Sequence, residues 1–243
     1  MSSPPTATPR NPSHPTGLVP IPAYLETTYW WAYLHPNAVR VFERQWLVNL
    51  ILWGNFARLR NAALQALADA DGRIQGQVLQ VACVYGDFSA QLLKRLAPTA
   101  HLSVVDVAPI QISNLRRKLP ESAQLSLHQQ DSAALRFADA SQDAVVLFFL
   151  LHEQPAEVRR QTLAEAWRVL KPGGKLVCVD YHRPVASHPL RWLMWPVLKW
   201  LEPFALDLWR ADVAHWLPPQ AQASTLHKQT CFGGLYQQLV LTR

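Results

Sequence analysis

Gln77-Val78-Leu79-Gln80-Val81-Ala82-Cys83-Val84-Tyr85-Gly86-Asp87-Phe88-Ser89 is the stretch that decides the fold. It reads as a short apolar strand, a tight turn at Gly86, and the opening of a helix that carries Leu92, Leu93 and Leu96. A doubly wound α/β sheet presents a nucleotide-like ligand to backbone N–H groups through such a strand, turn and helix opening. An acid then closes the next apolar run, Val104-Val105-Asp106, where a ribose-binding carboxylate belongs.

Working outward, strand and helix signals alternate regularly. Strands are expected at residues 101–106, 124–129 and 175–181, and a helix opened by Pro109 ends before Pro120. The continuous apolar run 144–151 suits a central parallel strand buried on both faces. A helix over 155–170 follows and is closed by a turn at Lys171-Pro172-Gly173-Gly174. Near the C-terminus, 225–232 and 235–242 flank Gly233-Gly234, a two-residue hairpin signal. Toward the N-terminus, residues 1–22 are rich in Pro, Ser and Thr and predict a disordered tail. Residues 23–72 predict a helical extension, with an aromatic cluster from Tyr24 to Pro36 and a helix capped by Asn37 running to about Leu67. Residues 73–243 form the α/β domain, interrupted at 183–217 by a Trp-rich insertion.

Composition narrows the function. Of 243 residues, 49% are apolar, enough for a substantial core. The net charge of +6 is spread out, without the dense basic blocks of a nucleic-acid binder, and suits an anionic lipid surface at least as well. Cys83, Cys178 and Cys231 are far apart and odd in number, which predicts reduced thiols in a cytoplasmic protein. The N-terminus lacks the basic-then-apolar run of a signal peptide. Ten tryptophans are the anomaly. Trp46-Leu47-Val48-Asn49-Leu50-Ile51-Leu52-Trp53 is apolar nearly all round but far shorter than the roughly 20 residues of a membrane span. It is either helix–helix core or an interfacial segment.

In order and spacing these motifs resemble class I S-adenosylmethionine (SAM) enzymes. That resemblance implies a Rossmann-like fold: a seven-stranded, mostly parallel sheet with a C-terminal antiparallel hairpin. It implies cofactor contacts at the strand-one loop (Gln80, Ala82, Val84, Gly86), at Asp106 and Val107 for the ribose, and at Asp131-Ser132 for the adenine. The loop departs from the family's D/E-x-G-x-G-x-G. Gln80 stands at the acid, Ala82 and Val84 stand at the first two glycines, and only Gly86 remains. Val84 is β-branched and stiff, so the loop must have another shape. Gln80 removes a carboxylate that usually holds the methionine ammonium.

A narrower resemblance is to the rhodoquinone biosynthesis family, RquA. It is carried by Tyr29-Trp30-Trp31-Ala32-Tyr33, by Phe42-Glu43-Arg44-Gln45-Trp46 through Trp53-Gly54-Asn55, by Val81-Ala82-Cys83-Val84-Tyr85-Gly86, and by Leu150-Leu151-His152-Glu153-Gln154-Pro155. The resemblance implies conversion of ubiquinone to rhodoquinone, in which a ring methoxy group is replaced by an amino group. SAM would then be the nitrogen donor, and manganese an assisting ion. No short metal-ligand signature such as H-x-x-x-H accompanies it.

Such chemistry needs a general base at the C-terminal edge of the sheet. His152 after strand four is the first candidate, with Asp180 and His182 after strand five beside it. Tyr85 either hydrogen-bonds a quinone oxygen or stacks over the loop. Tyr29, Tyr33, Trp195 and Trp200 are the expected substrate contacts. In the insertion, Arg191, Lys199 and Glu202 share one narrow helical stripe and nearly everything else from Leu190 to Trp209 is apolar. It is either a substrate lid touching the inner membrane surface or a plain cap or dimer interface. Two other readings stay open: an ordinary methyltransferase acting on a lipophilic molecule, and a quinone-binding subunit without catalysis.

Overall fold

The computed structural model describes residues 19–222 and 224–243. Most of the expected Pro-rich tail, residues 1–18, lies outside them. The helical extension comprises α1 (Ala23–Thr28), a π-helical turn (Trp30–Leu34), α2 (Pro36–Phe42), α3 (Gln45–Ile51) and α4 (Phe56–Leu67). Then come β1 (Gln77–Val81), α5 (Phe88–Lys94), β2 (His101–Asp106), α6 (Pro109–Lys118), β3 (Leu125–Gln129) and β4 (Gln142–Phe148). A 3₁₀ turn (Leu151–Glu153) leads into α7 (Ala156–Val169) and β5 (Leu170–Tyr181). The insertion holds α8 (Leu190–Leu201), α9 (Ala205–Arg210) and α10 (Pro219–Gln222), before β6 (Thr225–Cys231) and β7 (Tyr236–Thr242).

These strands form one seven-stranded sheet in the order β3-β2-β1-β4-β5-β7-β6, parallel except for β7, which runs antiparallel to both its neighbours. Its central strands are uniformly apolar because helices cover both faces: Val78, Leu79, Val145, Val146, Leu176 and Val177 are fully buried. The strand order reverses between β1 and β4. Crossovers from β1 and β4 leave in opposite directions there, which opens a crevice at the strands' C-terminal ends.

Four expectations are corrected. The single helix over 37–67 is three helices. Arg44 is extended and separates α2 from α3, and left-handed Trp53 and Gly54 (φ 52° and 77°) end α3. Asn37 is not the cap; Pro36 takes the first helical position, where its missing N–H costs nothing, so His35 caps α2 and its Nδ1 accepts from Asn37 N–H at 3.2 Å. Lys171-Pro172-Gly173-Gly174 is a bulge inside β5 rather than a turn before it, since pairing with β4 jumps from Gln142↔Leu170 to Ala144↔Lys175 around left-handed Gly173. The terminal hairpin turns over four residues, with Phe232 and Gly233-Gly234 all at positive φ.

The two Trp-rich helices are amphipathic in place. In α3, Val48 and the following Leu52 are buried while Trp46 and Leu50 are each 61% exposed. In α8, Met194 and Leu198 are buried while Trp192 and Trp200 are 77% and 79% exposed. Trp53 Nε1 donates to Met194 Sδ at 3.3 Å and joins the two elements. No helix among the described residues is long and apolar enough to cross a membrane.

Candidate active site

Two clefts meet at the C-terminal ends of β1, β2 and β4. The first, about 610 Å³ including its open mouth, is lined by Ala82, Asp106, Val107, Gln130, Asp131 and Ser132 from the sheet edge and by Tyr24 and Tyr33 from the extension. The second, about 730 Å³, is lined by Trp31, Phe42, Phe56, Val84, Tyr85, Phe148, His152, Tyr181 and Glu202 among others. Both are in the size range of a small-molecule site. Tyr33, Cys83, Phe149 and Glu153 line both and form the partition.

The first cleft suits a nucleoside by its donor set. Asp106 Oδ2 accepts from Cys83 N–H at 2.7 Å and Oδ1 from Ala108 N–H at 2.9 Å, which fixes the carboxylate at the end of β2. Burial pushes the Asp106 carboxyl up to about 6, against the pull of the Ala108 and Cys83 amides. Asp131 is held by Ala133 N–H, and Ser132 Oγ lies 2.9 Å from Thr162 Oγ1 and accepts from Gln154 Nε2 at 3.0 Å. A fixed carboxylate for a diol and a second acid for an exocyclic amine are the groups an adenosine needs.

The loop after β1 behaves otherwise than its sequence position implies. Gln80 does not line the cleft. Its Nε2 donates to Ala82 O at 2.9 Å beneath the loop, and its Oε1 is buried without a partner. Ala82 takes the left-handed φ of 73° that a glycine would hold without strain, and it faces the first cleft. Val84 lines the second cleft, and Gly86 lines neither. Gly86 packs against Phe56 and Gln45, where an added Cβ would come within 2.9 Å of the Phe56 ring. Two amides just ahead of α5 are already taken: Gly86 N–H donates to Glu43 Oε1 at 3.2 Å and Asp87 N–H to Gln45 Oε1 at 3.0 Å. Lys118 Nζ, paired with Glu43, also donates to Gly86 O at 2.6 Å. The break between α2 and α3 is what frees Glu43 and Gln45 for this. The extension therefore occupies two loop amides just ahead of the helix.

On the far side of the partition lies a buried polar cluster. Asp180 Oδ1 is 2.9 Å from His152 Nδ1 and accepts from Tyr181 N–H, while Oδ2 accepts from the Leu151 and His152 amides. Every lone pair of Asp180 is engaged and it lines neither cleft, so it orients His152 and does not reach a substrate. His152 Nε2 stands 3.7 Å from Glu153 Oε1 and 3.9 Å from Glu202 Oε2. Burial pulls the His152 ring down, but the charge and hydrogen bond of Asp180, with Glu202 and Glu153 beyond, outweigh it and hold the ring up at about 9. The upward direction favours the protonated ring, which serves as a proton donor, where the sequence leads one to expect a base. Burial pushes Glu153 up to about 8, against the pull of His152, and Tyr33 OH donates to its Oε1. Burial also raises Glu202.

The other expected residues are placed as follows. His182 is outside both clefts; its Nδ1 is 2.8 Å from Gly234 O and its Nε2 is 3.1 Å from Lys228 Nζ. Tyr85 stacks between Tyr33 and Phe42, donates to Ala32 O at 2.7 Å and accepts from Gln111 Nε2 at 2.8 Å, so its ring lines the second cleft but its hydroxyl is spent. Tyr29 is wholly buried behind the wall, packed on Tyr33 and Phe204. Trp195 and Trp200 line neither cleft and face outward. Among the described residues no group of three or more His, Cys, Asp or Glu is arranged to hold a metal ion, so the residues present do not fit protein-bound manganese. The three cysteines form no disulfide. Sequence reasoning missed Glu202, Tyr24 and Gln111. Glu202 in particular sits in the stripe that reads as the solvated edge of a helix, and only the packing of the insertion against the 3₁₀ turn after β4 brings it to His152.

Residues 78–174 match the family model described as "Methyltransferase domain". The chain is 39% identical over 130 residues to the demethylmenaquinone methyltransferase of Deinococcus radiodurans, covering 53% of this chain and 51% of that protein. It thus spans about half the length of the curated relatives it matches. Its fold is similar to an O-methyltransferase family protein from Burkholderia thailandensis (TM-score 0.63, 17% identity, 85% of this chain and 59% of that one). It is likewise similar to the N-methyltransferase NodS from Bradyrhizobium japonicum WM9, solved with S-adenosyl-L-homocysteine (TM-score 0.55, 16% identity, 76% and 85%). The match over residues 78–174 and the shared sheet architecture give the chain the same fold as these solved methyltransferases.

Proposed function

We propose that the chain is a SAM-dependent transferase that converts ubiquinone to rhodoquinone at a membrane surface. The observation that carries this reading is the shared partition: a nucleoside-like cleft and an aromatic cleft touch through Tyr33, Cys83, Phe149 and Glu153. Asp106 would hold the ribose of SAM, and Asp131 with Ser132 the adenine. When bound, SAM supplies a sulfonium methyl and an α-amine. The quinone ring would lie among Phe42, Tyr85, Phe148 and Phe149, whose faces suit a flat, electron-poor ring. His152, charged and aimed by Asp180, would donate a hydrogen bond from Nε2 to a ring oxygen and polarise the carbon that loses methoxy. The exposed faces of α3 and α8 would rest in the membrane interface and take the isoprenoid tail, placing the protein on the cytoplasmic side of the inner membrane. The motifs shared with RquA and the altered loop after β1 support amino rather than methyl transfer. The test is to incubate purified protein with SAM and a short-tail ubiquinone and to identify products by mass spectrometry. An aminoquinone lighter than its substrate is expected; unchanged quinone refutes the reading.

A second reading is a conventional methyltransferase acting on a quinone. It is favoured by the likeness to demethylmenaquinone methyltransferases, and its product would be heavier than the substrate.

A further inference from the structure

Three features of the first cleft concern a single end of its ligand. The position after β1 that usually carries an acid holds Gln80, whose side chain is turned beneath the loop. The Gly86 and Asp87 amides ahead of α5 are occupied by Glu43 and Gln45, so neither is left for the ligand. The carboxylate that does stand at the boundary of both clefts is Glu153, on the 3₁₀ turn after β4, with its side chain buried and held by Tyr33 OH. We propose that Glu153 supplies, from the opposite wall, the carboxylate that receives the cofactor's ammonium and turns it toward the second cleft. This rests on the SAM reading above and adds to it the group that orients the amino end.

The surroundings of Glu153 make that binding proton-linked. The groups facing it are His152 beside it, Tyr24 from α1, Tyr29 between α1 and the π-helical turn, Tyr33 from that turn, Tyr85, Asp180 and Tyr181 from β5, and Glu202 just after α8, with Asp106 and Asp131 lining the same first cleft. At neutral pH burial keeps Glu153 largely protonated. A cation brought against it favours the ionised form, so the proton leaves to solvent as the cation arrives. Affinity for the cation then rises with pH toward about 8.

The test is titration calorimetry with SAM and with 5′-methylthioadenosine, which keeps the nucleoside but lacks the amino-acid end. In buffers of different ionisation enthalpy at pH 7, the wild-type protein should release protons on binding SAM and none on binding methylthioadenosine. Glu153→Gln should lose roughly ten- to hundredfold in SAM affinity, the loss for a hydrogen bond to a charged group, and keep its methylthioadenosine affinity. Retained methylthioadenosine binding also reports that the variant is folded, and Glu153→Asp, which keeps the charge, should recover part of the loss. An equal loss for both ligands, no loss for SAM, or the same loss in Glu202→Gln would overturn the assignment of Glu153. A wild-type protein that binds methylthioadenosine but releases no protons with SAM also overturns it. If neither ligand binds the wild-type protein, the SAM reading itself fails and this inference falls with it.

Discussion

Two side chains show how far a residue's chemistry can depart from its motif. Asp106 was legible, because an acid at the end of the second strand of such a unit has one usual place, and Cys83 and Ala108 amides pin it there. Gln80 was legible only as a missing acid; that it folds under the loop to hold Ala82 depends on contacts no spacing rule contains. Asp106→Asn should weaken SAM binding by about 1.5–3 kcal/mol in calorimetry, the range for hydrogen bonds to a charged acceptor. In the wild type the affinity should fall as pH drops through about 6, where the carboxylate takes up a proton. A flat profile there would remove Asp106 from the ribose. The place of His152 after the fourth strand, with Asp180 beside it, was legible, but its charged surroundings were not, because Glu202 comes from the insertion. His152→Ala should slow turnover roughly 10²–10⁴-fold with SAM binding retained, and wild-type turnover should decline as pH rises through about 9. Asp180→Ala, removing an orienting group, should cost less than His152→Ala in the same assay.

At the level of elements, the core strands read directly from the sequence because burial on both faces leaves continuous apolar runs. The extension read poorly. Periodicity over 37–67 does not reveal a break that lets Glu43 and Gln45 reach the loop after β1. The insertion is fastened by Arg159, wholly buried on α7. Its Nε donates to Leu151 O, and its terminal nitrogen to Gln154 O and Phe204 O, while its plane lies 4.4 Å from the Trp216 ring centre. Arg159→Ala leaves Gln154 O without its partner and takes one of two donors from Leu151 O and Phe204 O, so urea unfolding should show a loss of about 2–3 kcal/mol. A loss under about 1 kcal/mol would mean that the 3₁₀ turn holds itself. For α8, the exposure of Trp195 and Trp200 leads to a different expectation. Trp195→Ala with Trp200→Ala should leave stability near wild type but reduce liposome flotation and activity on long-tailed quinone, with short-tailed quinone unaffected. Wild-type flotation of the double variant would discard the membrane-facing role.

Across the whole molecule, the sheet order and its switch point were implied by the regular alternation of elements, whereas the second cleft was not. It exists because the extension and the insertion, far apart in sequence, close over the same sheet edge. That closure buries His152 and Glu153 with proton affinities above their ordinary values, and the sign of the effect on stability follows. Glu153 holds a proton in the fold that the unfolded chain releases, so its contribution is full below about pH 4.5 and is lost as pH rises to about 8. For His152 the contribution is full below about 6.5 and is lost as pH rises through about 9. Melting temperature should therefore decline on the alkaline side, and Glu153→Gln should flatten the slope between pH 5 and 8. The central claim, that the two clefts bring a nitrogen of SAM against a quinone, is tested most directly by isotope. SAM carrying nitrogen-15 at its α-amine should give nitrogen-15 in the aminoquinone, and SAM deuterated in its methyl group should leave no deuterium in it. Deuterated methyl in the product, with no nitrogen-15, would contradict the account and make the protein a methyltransferase.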